Sequence, residues 1–439
     1  MKTEIATKFK ETEIGTIPEE WDIFDIQTVS EVIGGGTPST TNENNFNGEI
    51  PWITPRDLSS YQDRFISRGE RCISEEGLNS SSAKLLPANS VLLTTRAPVG
   101  YLAIAKNEVT TNQGFHSLIP NNKTNSLYLF YLLKNNVEKL ISNASGSTFQ
   151  ELSGKTLKSL EFAFPKISEQ KQITEILSSL DDKIELNRQI DDNLEKTASM
   201  LFKRWFIDFD FPDKNGKPYK TSEGKMIESE LGEIPDGWQI GLMTDFVSID
   251  KGLSYKGSDL NDEGKNLLVG LKCFARGGGF RADGTKRFSG EFKTQHILNP
   301  GDLIVAMTDL TQGAEVLGKP AIVPNIKNAE HIVASLDVSI LRPKTSQISK
   351  AYLYTLFMRQ ETQDFLFGYS NGSTVLHLSI KGLNEFKLTI APDNIFQQFN
   401  NIIEPIFNQI QILDSELQNL ETIRDSLLPR LMTGKIRVN

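Results

Sequence analysis

The stretch IGTIPEEW, residues 14–21, returns as LGEIPDGW at residues 231–238, an offset of 217 counted from Gly15 to Gly232. Working outward, LLPANSVLLTT at residues 85–95 is mirrored by LNPGDLIVAMT at residues 298–308. Both place a proline turn before an apolar run of strand length, and matching Pro87 to Pro300 gives an offset of 213. Farther on, Gly146-Ser147-Thr148 recurs as Gly372-Ser373-Thr374. Leu152, Ser153, Lys155 and Leu157 then match Leu378, Ser379, Lys381 and Leu383, an offset of 226. The chain is a tandem duplication with insertions inside each copy.

Each copy ends in a long helical pattern. Behind Ser168, a candidate N-cap with Glu169 in the first turn, Ile173, Ile176, Leu177, Leu180, Ile184, Ile190, Leu194 and Leu201 follow at three- and four-residue steps. In the second copy Ile403, Ile406, Ile410, Leu413, Leu417, Leu420, Leu427 and Leu431 form a heptad seam, and Pro405 is expected to kink or restart that helix. Two such stripes can bury each other, with Asn187 and Asp191 as polar seam positions that fix register; alternatively each helix packs only on its own head. These patterns give an α+β class and five segments. They are a first head (1–165), a first long helix (166–211), a polar linker (212–230), a second head (231–392) and a second long helix (393–439).

The 439 residues carry a net charge of −9, which argues against a uniformly basic coat but leaves room for a local basic face. Both long helical segments are themselves net acidic, as scaffolds or protein-binding surfaces are. Cys72 and Cys273 lack CxxC spacing, which removes a disulfide scaffold or zinc ribbon and suits a reducing cytoplasm. The N-terminal residues are charged, without a signal core, and no run is long enough for a membrane span.

Several strings imitate catalytic motifs. GAEVLGK at residues 313–319 fits GxxxxGK, but Pro320 stands where a phosphate loop needs a hydroxyl and a helix. Asp213 with Glu223-Gly224-Lys225 resembles a metal-dependent nuclease pattern placed in a polar linker. Gly34-Gly35-Gly36 and Gly277-Gly278-Gly279 are not GxGxxG, no DPPY-type methylation loop is present, and four scattered histidines form no metal spacing.

Binding chemistry remains. Residues 268–293 hold six basic and two acidic side chains, with Phe274, Phe280, Phe288 and Phe292 interleaved. That is either a DNA-contacting loop or a solvated hairpin with buried phenylalanines. In the first head Arg56, Arg64, Arg68, Arg71 and Arg96 fall in loop-like segments, and arginine is the usual fork for guanine edges and phosphates.

The chain resembles the specificity subunits of type I restriction–modification systems. The likeness is carried by the IPEEW and IPDGW openings, GGTPST followed by IPWITPRDL, NQGFHSLIP, the GST junctions and EQ..I..IL..LD..I at residues 169–184. LFKRWFIDFDFP at residues 201–212 and RDSLLPRLMTGKIRV at residues 424–438 add to it. The resemblance implies two target-recognition domains, each reading half of a split, asymmetric DNA sequence, joined by two long antiparallel helices in a pseudo-two-fold repeat. It implies two methyltransferase subunits and restriction subunits as partners, no membrane, and no chemistry or cofactor on this chain. S-adenosylmethionine, ATP and magnesium would belong to the partners. Candidate DNA contacts are then Thr37, Thr54, Arg56, Arg96, Ser147 and Thr148 in the first head. In the second they are Tyr255, Lys256, Lys272, Arg276, Arg281, Lys286, Arg287, Thr308, Ser373 and Thr374. Leu201, Trp205, Phe206, Leu427 and Leu431 are candidate subunit contacts, or else local caps on the heads. The remaining alternatives are a specificity subunit of a related system with a fused methylase–nuclease, a self-sufficient nuclease using Asp213 and Glu223, and a pure protein scaffold.

Overall fold

The computed structural model describes residues 8–146, 150–311, 313–327 and 329–438. It divides into two compact units, Met1–Leu186 with Gln418–Asn439, and Asn187–Leu417. Each unit therefore contains one head and a length of both long helices, which run Ile167–Phe206 and Asp393–Met432. The first helix starts one residue ahead of Ser168, and Pro405 neither ends nor restarts the second.

Both heads open with the same hairpin. Phe9–Thr12 pairs with Gly15–Pro18, and Met226–Ser229 pairs with Gly232–Pro235. The second copy thus begins at residue 226, inside the stretch expected to be a linker. Upstream of it the chain is exposed over much of its length but tethered at its ends. Phe211 is buried between Tyr219 and Trp238, at ring distances of 4.7 and 5.2 Å.

The first head carries a five-stranded sheet in the order Ser30–Gly34, Phe115–Pro120, Val91–Thr95, Val99–Ala105, Phe65–Ile66. A three-stranded sheet of Thr110–Thr111, Phe46–Ile53 and Arg71–Ile73 lies beside it in the topology. The second head repeats the antiparallel centre as Val247–Lys251, Val338–Pro343, Leu303–Ala306, Pro320–Ile322. Its other four-stranded sheet contains Lys286–Phe288, Asn266–Val269, Ile332–Ala334 and Ile297–Leu298. In each head an apolar helix is buried nearly all round. Ser126–Asn135 is capped by the Asn125 side chain accepting from the Tyr128 N–H, and Lys350–Met358 by Ser349 accepting from Tyr352.

Backbone hydrogen bonds set the repeat register for the proline-turn strand. Asn89 N–H donates to Ala105 O and Gly301 N–H to Val323 O, both at 2.7 Å, and both residues have positive φ (69° and 81°). The offset there is 212, not the 213 given by matching prolines: the left-handed turn residue, not the proline, is the fixed point.

The helices pair within each unit. In the first, Leu428, Leu431 and Met432 share a core with Ile173, Leu177, Trp21 and Phe164. In the second, Phe202, Trp205 and Phe206 share one with Phe396, Phe399 and Ile403. Residue numbers rise along one helix as they fall along the other, so the helices are antiparallel in both units, and the reading in which each packs only on its own head does not hold. Each head's tryptophan receives a helix exit. Gly434 lies against Pro18 and Trp21, while Phe209 packs on Trp238 at 5.4 Å. Trp205 and Phe206 are 4% and 1% exposed and Leu431 is 1% exposed, with Leu201 and Leu427 packed beside them. Trp205, Phe206 and Leu431 are thus core positions of the units, and Leu201 and Leu427 remain half-buried at the core's edge.

Candidate nucleic-acid interface

Four connections of the first head converge on one place. Gly35 N–H donates to Phe115 O (3.1 Å) and Gly36 N–H to Thr111 O (2.9 Å), so the glycine run crosses closely over residues 111–115. A Cβ on Gly35 would stand 1.9 Å from Asn112 O, which excludes a side chain there. This brings Thr37 to the Gln113 side chain, to which its hydroxyl is hydrogen-bonded. Gly114 N–H donates to Asn112 Oδ1 (2.9 Å) and Gly114 O accepts from Thr95 N–H (2.8 Å), which joins the turn at Arg96. Arg96 in turn bridges to Glu151, and Leu152 N–H donates to Thr95 O (2.9 Å). Thr54 and Arg56 enter beside this loop, since Pro55 is the apolar neighbour that a Gly114 Cβ would meet at 3.0 Å. Thr54 itself is held by Asp57, whose Oδ2 accepts from both its N–H and its hydroxyl at 2.7 Å. Arg56 and Arg96 are exposed, and Arg96 stands only 3.9 Å from Glu151, a surface pair weak enough to exchange for a phosphate. Ser147 and Thr148 lie outside the described residues.

The second head builds the same convergence with other side chains. Gly252 N–H donates to Val338 O (3.0 Å), Leu253 N–H to Ala334 O (2.9 Å) and Met307 N–H to Asp337 O (2.7 Å). Thr308–Asp309 pairs with Leu376–Leu378. Thr308 is buried and its hydroxyl donates to Asp337 Oδ1 (2.8 Å), so it fixes the loop instead of facing out. Ser373, Thr374 and Lys256 are exposed. Tyr255 is half-buried, its ring edge-on to Phe288 at 6.3 Å, which joins this loop set to the strand Lys286–Phe288.

The basic, glycine-rich stretch divides. Phe274 and Phe288 are 4% and 0% exposed and belong to the core, whereas Phe280 and Phe292 are half-buried at its edge. Arg276 is exposed but pairs with Glu315 (3.1 Å), and Arg281 with Asp283 (2.6 Å). Lys272 and Lys286 are exposed, whereas Arg287 is half-buried with Nη1 3.5 Å from Gly264 O. Gly277, Gly278 and Gly279 all have positive φ, and they dock the loop through Gly277 N–H to Glu315 O (3.4 Å) and Gly279 N–H to Pro320 O (3.0 Å). Three successive residues of that conformation require glycine.

The GxxxxGK string has a structural task. Asp309 Oδ2 accepts from the N–H groups of Val316 (2.6 Å) and Leu317 (3.0 Å), while Oδ1 accepts from the Thr311 N–H (2.6 Å) and hydroxyl (2.8 Å). Burial opposes its ionisation, but these donors outweigh it and hold the carboxyl below the usual range. The backbone donors that a phosphate loop would offer a phosphate here hold this chain's own carboxylate. Asp213, of the nuclease-like string, is likewise used up in a turn: its Oδ1 accepts from the N–H groups of Asn215 and Lys217, both at 2.8 Å. His116 shares a hydrogen bond with Thr95 (2.8 Å) under Gly154, and burial depresses its pKa.

Arg64, expected in a DNA-facing loop, is 3% exposed and grips the first long helix. It reaches Glu185 at 2.9 Å, pairs with Asp182 and lies 4.0 Å from Asp181. Asp181 also accepts from Tyr131 Oη (2.6 Å) and Arg424 Nη1 (2.9 Å). Burial, then the Asp181 charge, raises the Tyr131 phenol far above its usual range. Arg71 lies over the rings of Phe46 (4.1 Å) and Trp52 (5.7 Å). Gln113 escaped the sequence reading although its motif was in view; only the register between the two heads singles it out.

A family model for the type I restriction modification DNA specificity domain matches residues 18–196 and again 235–422. The chain is 35% identical to the type I restriction enzyme MjaIX specificity subunit of Methanocaldococcus jannaschii, across 98% of this chain and 97% of that one. It is 31% identical to the EcoR124I/EcoR124II specificity subunit of Escherichia coli over 45% of this chain and 47% of that one. A crystal structure of the type I restriction–modification S subunit from M. genitalium shares the fold, with a TM-score of 0.60, 15% identity and 98% of both chains covered. Among the described residues no helix is long and apolar enough to cross a membrane. With the family model matching both repeats and 35% identity to a specificity subunit along nearly its whole length, this chain belongs to the type I restriction–modification DNA specificity family.

Proposed function

We propose that this chain is a DNA-reading subunit without chemistry of its own, whose two heads each recognise one half of a split, asymmetric target. The observation that carries this is the pair of equivalent loop sets bearing different side chains. Around residues 35–38, 95–97, 112–114 and the bridge of Ser145 to Glu151 the first head offers Gln113 and Arg96, with Arg56 beside them. Around residues 252–256, 307–309, 335–337 and 371–377 the second offers Leu336, Lys256, Ser373 and Thr374. Equivalent frames with unequal tips suit two half-sites of different sequence. Exposed lysine and arginine supply sequence-independent attraction to phosphate, and the tips supply discrimination.

In this reading two methyltransferase subunits and the restriction subunits assemble on the chain and bring S-adenosylmethionine, ATP and magnesium with them. The target base is flipped into the methyltransferase, not into this chain. The test is methylome sequencing of cells that express this chain with its methyltransferase, before and after residues 226–392 are exchanged for a relative's second head. One half-site should change and the other persist. No bipartite methylation, or both halves altered, overturns the reading.

A further inference from the structure

We propose that Leu336 reads DNA through hydrocarbon, packing against the methyl group of a thymine in the second half-site, at the place where the first head presents the carboxamide of Gln113. This rests on the DNA-reading function proposed above. The equivalence of the two positions comes from backbone geometry. Gly35 N–H to Phe115 O (3.1 Å) matches Gly252 N–H to Val338 O (3.0 Å). Gly36 N–H to Thr111 O and Leu253 N–H to Ala334 O match at 2.9 Å each. Both pairs shift by 217 residues on the glycine side and 223 on the other (Phe115 to Val338), which sets residue 336 on residue 113.

The tip is rigidly held. Ser335 N–H donates to Val269 O (2.8 Å), Val338 N–H closes a turn on Ser335 O (2.9 Å), and Asp337 is fixed by Met307 and Thr308. Ser335 is fully buried, yet Leu336 next to it is 49% exposed. Leu310, just past the buried Thr308, is 64% exposed. Where the first head presents the amide of Gln113, the second presents the hydrocarbon of Leu336, with Leu310 exposed on the neighbouring loop. A leucine cannot bond a phosphate or a purine edge. The thymine C5-methyl is the apolar feature that the major groove offers it.

The test uses the assembled methyltransferase complex and the duplex target defined by its methylome. Each thymine of the second half-site is replaced in turn by deoxyuridine, which deletes only the methyl group. The wild-type complex should bind about four-fold more weakly at one position, the equivalent of one buried methyl. Leu336→Ala should bind the intact target more weakly and lose sensitivity to uridine at that position alone, with the first half-site unchanged. Leu336→Gln should shift the preferred base there. The reciprocal Gln113→Leu should alter only the first half-site. A second half-site without thymine, or additive effects of Leu336→Ala and uridine, overturns the inference. So does an equal loss on all sequences, which marks a backbone contact, or lost assembly with unchanged DNA binding, which marks a protein contact. A wild-type complex with no sequence preference overturns instead the DNA-reading function itself.

Discussion

Replacing Asp191 by Asn should stabilise the second unit more at pH 8 than at pH 5. Asp191 and Glu195 of the first long helix and Asp414 of the second come together beside Tyr354, whose hydroxyl donates to Glu195 Oε1 (2.9 Å). A cavity of about 220 Å³ borders them, together with Gly278 and Phe280 of the glycine loop. Asp191 Oδ1 is buried and unpartnered. Burial, followed by the charges of Asp414, Glu195 and Asp192, pushes the Asp191 carboxyl up to about 7; burial and then Glu195 push Asp414 up to about 6. Glu195 is also raised, chiefly by burial.

Carboxyls whose folded pKa exceeds the unfolded value of about 4 take up protons on folding, so their contribution to stability is full below pH 4. It is lost as pH rises through about 6 and then about 7. Each pKa unit corresponds to about 1.4 kcal/mol, and because Asp191 is partly solvated, screening leaves on the order of 1–2 kcal/mol for this residue. Urea unfolding of wild type and Asp191→Asn at pH 5 and pH 8, followed by circular dichroism, reads the difference between variants at each pH. Titrating groups away from this cluster cancel in that difference. An equal gain at both pH values, or no gain at pH 8, refutes the argument.

Four further outcomes follow from the packing. Arg424→Ala removes one of two arginines from the buried Asp181 and should cost about 3 kcal/mol in thermal unfolding, with most of that loss cancelled in the Arg424→Ala/Asp181→Asn double variant. Trp205→Ala, which opens a hole against Phe399, should cost roughly 3–5 kcal/mol and show as lost stability of the second unit, not as a selective loss of methyltransferase co-purification. Arg96→Ala should weaken binding to all sequences and reduce the salt slope by about one, as measured by titration at several salt concentrations. Lengthening both long helices together by four residues, after Asn187 and after Leu417, adds about 6 Å and about 40° beyond a full turn. The target gap should then grow by about two base pairs, and an unchanged gap in the methylome shows that the helices do not set it.

The duplication, the two long helices and their apolar stripes were readable from sequence because they rest on local periodicity and on short strings that recur at a few key positions. What escaped was long-range or register-dependent. Arg64 looked like a loop arginine, and only residues some 120 positions away, Asp182 and Glu185, make it a helix anchor. Thr308 matched a DNA-facing pattern until Asp337 claimed its hydroxyl. The strand Met226–Ser229 hid in a polar stretch because its pairing with Gly232–Pro235 depends on backbone and not on side-chain pattern. Gln113 and Leu336 share no chemistry, so no comparison of letters could place one on the other.

The way the first unit is closed bears on how the protein is made. Its core needs Leu428, Leu431 and Met432, and Arg437 must reach Glu169 (2.7 Å), yet these residues are synthesised after the whole of the second unit. The second unit is contiguous from Asn187 to Leu417 and is free to fold as soon as it emerges. The head synthesised first must wait, with Trp21, Ile173 and Leu177 uncovered, until the final helix arrives. Tying an open loop of about 230 residues would cost on the order of 5 kcal/mol in chain entropy. With the second unit already folded, the loop is a compact body and most of that cost is gone. A chain that stops between Leu417 and Leu428 would therefore have a finished second unit and an open first one, a species that exposes apolar surface to chaperones and proteases.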